Sequence, residues 1–521
     1  MSQRIDHVAS VAKDHRSHRR LWADRQESRL LLATRVVATL IETLRTGIGF
    51  VIVVVALPGP VSAQGLPSQE QILAKMTLGN DYFMNKWPDP TAPIVHPDKT
   101  RPSNIWTRST YYEGLLALYS IDSQPAYYNY AVDWGEGHNW EPAYGGTTTR
   151  IADNQCAGQT YIELYQIDPQ PERIAPIKTT IDRMVNSTKI DDWWWIDALQ
   201  MAMPVFAKLG AVYDDDRYYQ KLYDLYNYTK TQRGYRGPGD SGLYNTVDHL
   251  WWRDDTFDPP YVAPNGEDTY WSRGDGWVLA GLARVLDVMP EGAPHRAEYE
   301  TTFTEMAAAL LPIQRDDGFW NVSLHDPNDY GGKETSGTAF FVFGLAWGIN
   351  HGLLVGDEYR TAVTKGWNGM ADDALHPNGF LGYVQSTGKQ PSDGQPVTYD
   401  KVPNFEDYGL GAFLLAGSEV YRLAEVPIVE LPGDYNDDNV VDAADYTIWR
   451  NHLGAPAGTL PNDTAGGVIG PAQYNTWQVN FGSTAGSASG SYANGTVPEP
   501  ATVSLLIFAA AGVCLRRRKT A

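Results

Sequence analysis

The chain has 521 residues, a formal charge of −21 and 12% aromatic residues, 17 of them tryptophan. That length holds one large domain with appendages. The acidic, aromatic-rich balance excludes a nucleic-acid binder, which would carry a basic face, and suits a protein that handles saccharides.

Nine Lys/Arg stand against five Asp/Glu in the first 45 residues, and Gly47 to Leu57 form an apolar run closed by Pro58-Gly59-Pro60-Val61-Ser62-Ala63. A basic region, a short apolar stretch and small residues read as a leader and secretory signal over 1–63, cleaved after Ala63. The run is too short for an ordinary membrane span. An uncleaved anchor is the alternative; export to the periplasm, cell surface or beyond is the expectation. Only Cys156 and Cys514 are present, so no disulfide framework supports the exported protein.

From residue 66 to 425 apolar residues recur at spacings of three and four, broken by Gly, Pro, Asp and Asn clusters. Helices are predicted over Tyr111–Tyr119, Gln159–Tyr165, Asp197–Leu209, Tyr218–Tyr226, Gly276–Val288, Tyr299–Leu311, Ser336–Ile349 and Tyr408–Leu423. Strand alternation is scarce, so the fold class is all-α. Many helices without heptads suggest a closed toroid of paired helices, an (α/α)6 barrel, with an open solenoid as the rival.

Within this body Asp197 follows three tryptophans, Trp193 to Trp195. Aromatic walls exclude water from a carboxylate and raise its pKa, which keeps a proton donor available near neutral pH. A buried aromatic cluster with an Asp capping a helix is the plainer alternative. Asp153 lies in Ala152-Asp153-Asn154-Gln155-Cys156-Ala157-Gly158-Gln159, and Trp271, Arg273 and Trp277 in Tyr270-Trp271-Ser272-Arg273-Gly274-Asp275-Gly276-Trp277. Arg273 offers a planar fork suited to a carboxylate, or else a structural partner for Asp275. Cys156 has no His partner in its motif and reads as a buried small residue rather than a nucleophile.

Past Leu423 a linker at 426–433 leads to Gly433-Asp434-Tyr435-Asn436-Asp437-Asp438-Asn439-Val440-Val441-Asp442-Ala443-Ala444-Asp445. Asp434, Asn436, Asp438, the Val440 carbonyl, Asp442 and Asp445 fall at the ligand positions of an EF-hand-like loop, where a hard cation collects oxygens. Asp at the twelfth position resembles a dockerin, and Tyr446 to Leu453 would be its helix. A second copy 28 residues on keeps Tyr474 and Trp477 but replaces most carboxylates, reading Asn462, Thr464, Gly466, Gly470 and Gln473. The unit over 434–482 is therefore expected to hold one Ca²⁺ and, as a dockerin-like module, to meet a cohesin-like or cell-surface partner. An acidic linker with chance spacing is the alternative. A Ser/Gly linker at 483–496 precedes Val497-Pro498-Glu499-Pro500, an apolar stretch and Arg516-Arg517-Arg518-Lys519. Residues 497–519 resemble the bacterial PEP-CTERM sorting signal, implying transient membrane contact; an ordinary C-terminal anchor is the alternative.

The Asp153, Asp197 and Trp271–Trp277 segments, with lesser echoes at Trp251-Trp252-Arg253-Asp254, Asp317-Gly318-Phe319-Trp320 and Glu334-Thr335-Ser336-Gly337-Thr338, together resemble glycoside hydrolase families 88 and 105, the unsaturated uronyl hydrolases. The resemblance implies an (α/α)6 barrel with Asp197 as acid/base and Asp153 as a second, ionised carboxylate that raises the Asp197 pKa. It implies an acidic oligosaccharide substrate ending in a 4,5-unsaturated uronate, hydrated at its enol ether without a catalytic cofactor. Trp271, Arg273, Trp277, His249 and Trp195 would contact substrate, although a packing role suits His249 equally. Two carboxylates also serve ordinary glycosidases. A conventional glucuronidase or sugar epimerase on the same fold, and a non-catalytic glycan-binding surface protein, are the alternatives.

Overall fold

Helices buried on every side alternate along the chain with helices buried on one face, and that alternation builds the barrel. The computed structural model describes residues 65–96, 99–234, 242–424, 431–438 and 440–484. The signal segment, residues 426–430 of the expected linker, Asn439, and the tail from 485 with Cys514 and its Pro-Glu-Pro motif lie outside the described residues.

The one-faced helices are α1 (Gln69–Lys86), α3 (Pro125–Gly137), α6 (Pro171–Val185), α8 (Asp216–Thr231), α10 (Arg296–Leu310) and α12 (Asp357–Gly369). In α8 the buried residues Tyr218, Tyr219, Leu222, Leu225, Tyr226 and Thr229 return every three or four positions, the stripe of a helix lying on a core. The others are α2 (Trp106–Ile121), α5 (Gly158–Ile167), α7 (Asp197–Tyr213), α9 (Ser272–Val288), α11 (Thr335–Asn350) and α13 (Asp407–Leu423), with a one-turn α4 (Ala152–Gln155) leading into α5. In α7, α9, α11 and α13 nearly every residue is buried, as a helix enclosed by others requires.

Among the described residues these six inner helices form a closed ring in the order α2, α5, α7, α9, α11, α13 and back to α2, each with an outer helix behind it. The (α/α)6 toroid is thus observed, and the open solenoid is not. Among the described residues, strands of two residues or more are confined to two short hairpins, β1 (Ile94–His96) with β2 (Lys99–Arg101) and β3 (Tyr244–Asn245) with β4 (Leu250–Trp251).

Ring closure brings α2 and α13 into backbone contact. A Cβ on Gly114 would lie 2.4 Å from the Gly411 carbonyl oxygen, and one on Gly411 would lie 2.2 Å from the Thr110 carbonyl oxygen. At the same seam the buried Arg108 Nε donates to Asp407 Oδ2 at 2.9 Å, and Trp106 packs on Tyr408 at 5.4 Å between ring centroids.

Residues 431–484 gather around a core of their own, with Leu431, Tyr435, Val441, Leu460, Ile469 and Trp477 buried. The expected helix is present as α14 (Ala443–Asn451), and its counterpart is α15 (Pro471–Asn480). The aromatics matched between the two copies face one another, Tyr446 with Trp477 at 5.3 Å and Trp449 with Tyr474 at 4.9 Å. Val441 N–H donates to Ser483 O, so the unit extends past residue 482. Among the described residues no helix is long and apolar enough to cross a membrane.

The glycine seam makes a direct prediction. Gly411→Ala should destabilise the protein by about 1–3 kcal/mol or more, because backbone must move to admit the methyl group. Gly292→Ala, at a position with open space around it, should be neutral or slightly stabilising. Thermal melts of the two variants beside the parent protein check this.

Candidate active site

Because inner helices run the same way round the ring, their N-terminal ends share one mouth. Asp197 and Asp407 are the first residues of α7 and α13, Arg273 lies in the first turn of α9, and Glu334 caps α11 by accepting the Ser336 and Gly337 N–H groups. Contacts across the ring tie these ends together: Arg273 Nη1 donates to Ser336 Oγ at 3.4 Å, and Trp106 meets Trp277 at 5.9 Å. Converging helix starts favour negative charge at the mouth although the whole chain is acidic.

Two carboxylates occupy this mouth. Asp197 is only 7% exposed. Its pKa is raised overall, because burial outweighs the opposing pull of the Arg253 and Arg273 guanidinium groups and of its own backbone N–H at the helix start. Asp153 keeps part of its surface open to the cleft although protein atoms crowd it on most sides. Its pKa is pushed up to about 7, by burial first and by the Asp197 charge second, against weaker pulls from Arg253 and Arg101. Burial thus raises both carboxyl groups, and the guanidinium touching Asp197 favours placing the charge of the pair there and the proton on Asp153, the opposite tendency to the division that the resemblance implies.

That guanidinium belongs to Arg253, on the loop after β4. Its Nε donates to Asp197 Oδ2 at 2.9 Å and its Nη1 to Asp254 Oδ2 at 2.6 Å. The loop is fixed by main-chain contacts, Ile196 N–H to Arg253 O and a bridge between Trp195 and Asp254. The Trp251-Trp252-Arg253-Asp254 segment stands out in the sequence, but nothing there points from Arg253 to a residue 56 positions away.

The three tryptophans divide their work. Trp193 is core, edge-on to Phe206 at 5.7 Å. Trp195 is buried and held by the Asp254 bridge. Trp194 is 43% exposed, tilted against Trp195 and 5.7 Å from the Arg253 guanidinium, so the ring open to a sugar is Trp194 rather than the expected Trp195. Trp271 donates through Nε1 to Gln385 Oε1 at 2.9 Å, and Trp277 packs on Phe340 at 4.2 Å. Both are buried.

Arg273 is 1% exposed and donates to the carbonyls of Gln385 at 2.8 Å and Ser386 at 2.9 Å, stacked between Trp271 and Tyr408. Two of its nitrogens thus hold the 385–386 loop instead of waiting for substrate. Nor does it pair with Asp275, whose Oδ1 accepts the Trp251 N–H and whose buried Oδ2 has no partner. His249 sits 3.1 Å from Tyr244 Oη and 3.4 Å from Glu305 on the outer helix α10, which corresponds to the packing alternative. Cys156 is buried with its thiol donating to Glu113 Oε1 at 3.3 Å and its pKa pushed far up, so it is no nucleophile.

Below the mouth the barrel axis is filled by polar groups. Gln200 Nε2 donates to Glu113 Oε2 at 2.7 Å, Arg284 to Gln159 Oε1 and Glu163 Oε1 at 2.8 Å each, and Lys208 pairs with Glu163 at 2.9 Å. A cavity of about 440 Å³ opens beyond them at the opposite end.

The candidate Ca²⁺ loop is wound on its own oxygens. Asp434 Oδ1 accepts the Asp438 N–H at 3.1 Å, Asp438 Oδ1 accepts the Val440 N–H at 3.0 Å, and Asp442 caps α14 through the Ala444 N–H. Asp445 accepts the N–H groups of Tyr435, Asn436 and Asp442. Among the described residues no group of three or more His, Cys, Asp or Glu side chains stands ready to hold a metal. The donors are nevertheless hard oxygens on one loop, the chemistry Ca²⁺ takes. In the loop before α15, Gln473 Nε2 donates to Gly466 O at 2.8 Å and Asp463 Oδ2 at 3.2 Å.

The glycosyl hydrolase family 88 profile matches residues 76–424. An unsaturated 3S-rhamnoglycuronyl hydrolase of Formosa agariphila is 34% identical over 353 residues, 64% of this chain and 88% of that protein. A solved family 88 glycosyl hydrolase from Bacteroides vulgatus is 32% identical with TM-score 0.61, covering 68% of this chain and 99% of its own. A second solved structure with the same identity and TM-score, covering 68% and 98%, is described as a polysaccharide lyase.

The Asp153 carboxyl has a signature in stability. It ionises near its ordinary value of 3.8 in the unfolded chain and at about 7 in the folded one. Between those values the folded state binds more protons, so stability from this group falls as pH rises through the window and is level above it. Asp153→Asn removes that slope. The variant should gain in melting temperature over the parent at pH 8 and gain little or nothing at pH 4.

Proposed function

Because the chain belongs to glycosyl hydrolase family 88 and is a glycosidase, we propose that it removes a 4,5-unsaturated uronic acid from the non-reducing end of oligosaccharides left by a polysaccharide lyase. The observation that carries this is the Asp153 and Asp197 pair at the mouth of the ring, both carboxyl groups raised by burial and Asp153 pushed up to about 7. Asp197 donates a proton to C4 and water adds at C5, its remaining proton passing to the carboxylate. The hemiketal opens by breaking the C5 to ring-oxygen bond, and the hemiacetal left at C1 releases the rest of the sugar. One group gives and then takes a proton, which needs a pKa near the working pH. Asp153 orients the attacking water, and the Trp194 face receives the sugar. The name of the Formosa agariphila relative makes an unsaturated rhamnoglycuronyl oligosaccharide the first substrate to try.

One solved relative is described as a polysaccharide lyase, so the opposite reaction at the double bond is the outcome the assay must exclude. The two reactions differ in sign at the double bond, which a lyase creates and this hydrolase would consume. Incubation with lyase-generated unsaturated oligosaccharide should lower the ultraviolet absorbance of the C4=C5 bond. Asp197→Asn, with its fold verified by circular dichroism, should slow that fall by about 10²–10⁴-fold. A rise in absorbance on intact polymer would favour the lyase, and full activity in the variant would remove Asp197 from the role of proton donor.

The protein acts outside the cytoplasm on this reading, consistent with the signal over 1–63 and the sorting tail over 497–519. Residues 431–484 form a dockerin-like unit for a cohesin-like or cell-surface partner. Asp434, Asn436, Asp438, the Val440 carbonyl, Asp442 and Asp445 would bind one Ca²⁺ there, while Gln473 leaves the second loop independent of metal. Titration of the full chain with Ca²⁺ by calorimetry should give a stoichiometry of one. Asp438→Ala should abolish the binding and Asp463→Ala should leave it; two bound ions would contradict the assignment.

A further inference from the structure

Arg253 is the cation at the mouth whose partners include a reacting group. Arg150 is held by Asp192, Arg108 by Asp407, and Arg273 by two backbone carbonyls. Arg253 spans Asp197 and Asp254, and its Nη2 makes no hydrogen bond among the described residues. Asp254 anchors the guanidinium independently of Asp197, since its other oxygen accepts the Thr256 N–H at 2.9 Å. The side chain is 13% exposed and lies beside the exposed Trp194 ring, so a ligand on that ring meets Arg253 directly.

This arrangement poses a chemical difficulty. Contact with a guanidinium favours the charged form of Asp197 against the burial that raises it, yet Asp197 must be protonated to donate. The uronate brings its own carboxylate, attached at C5, next to the double bond to be protonated.

We propose that Arg253 is a substrate-operated switch: it holds Asp197 as the charged partner in the free enzyme, and the carboxylate of the bound uronate draws it away so that Asp197 takes the proton from Asp153. One proton moves between the two carboxyl groups and the pair keeps a single negative charge. Asp254 keeps the guanidinium in the mouth as it turns from one carboxylate to the other. The other charged groups facing the pair stay in place: Arg273 and Asp275 on α9, and Arg101 from β2, stacked on Phe405 at 4.6 Å and acting on Asp153. An enzyme so built protonates a double bond only when a carboxylate accompanies it, which makes the substrate's charge a condition of turnover and not only of affinity.

The switch rests on the uronyl-hydrolase reading, and wild-type activity on the unsaturated uronide is the control that tests that reading separately. With an active wild type, kcat and kcat/KM are measured against pH for the uronide and its methyl ester, in wild type, Arg253→Gln and Arg253→Lys. In wild type the alkaline limb of kcat should lie about one pH unit above that of kcat/KM, because Asp197 is released from the cation only in the complex. The ester should lose kcat by about 10- to 100-fold, the worth of one charge-assisted pair. Arg253→Gln should bring the two limbs together and reduce the ester penalty in kcat to near unity; Arg253→Lys should keep the limbs apart. Coincident limbs in wild type, or an ester that loses only in KM, would overturn the switch without disturbing the assigned activity. Both of those readings need no variant, so they stand even if Arg253→Gln does not fold.

Discussion

Closure of the ring at α2 and α13 is the constraint on which the rest depends. Twelve helices can pair in a row as an open superhelix; they enclose an axis only if the last inner helix reaches the first. Gly114 and Gly411 let the two backbones approach to contact, and the buried Arg108–Asp407 pair locks the register of the seam. A buried ion pair is a weak source of net stability but a strong selector of one arrangement, since losing either partner strands a charge. With the ring closed, six helix starts share one mouth and six helix ends share the other.

The chemistry follows from that polarity. The mouth gathers the positive ends of helices, so it can hold anionic side chains within a protein of charge −21. Net charge governs the distant field, whereas the local field at a helix start acts within a turn. At the far end the logic inverts: Arg284 and Lys208 stand near helix ends and compensate Glu113 and Glu163, filling the axis with paired charge. Paired charge therefore plugs the axis between the two mouths.

Within the mouth, the same burial that raises both carboxyl groups cannot decide which of them keeps the proton. Contact with Arg253 biases the pair, favouring charge on Asp197 and the proton on Asp153. The tryptophans before Asp197 keep water out but do not by themselves hold it protonated. Desolvation sets how costly a charge is in the mouth, and the position of one guanidinium sets where the charge sits.

Periodicity alone carried the all-α class, because a helix buried against neighbours must repeat its apolar residues every three or four positions. The inner helices were the most legible, all six being expected from the sequence against only α8 and α10 of the outer ones, and the motifs around Asp153, Asp197 and Trp271 marked the mouth because their residue types are unusual for a core. Side-chain partnership was not legible. Arg253 and Asp197 are 56 residues apart, His249 belongs to Tyr244 and Glu305 through a hairpin turn, and Arg273 spends two of its nitrogens on carbonyls more than a hundred positions away. Local sequence determines which segments are helical and which residues are chemically able; the three-dimensional ring decides which of those residues meet. Electrostatics acts through space over a few ångströms, a distance that position along the chain does not encode.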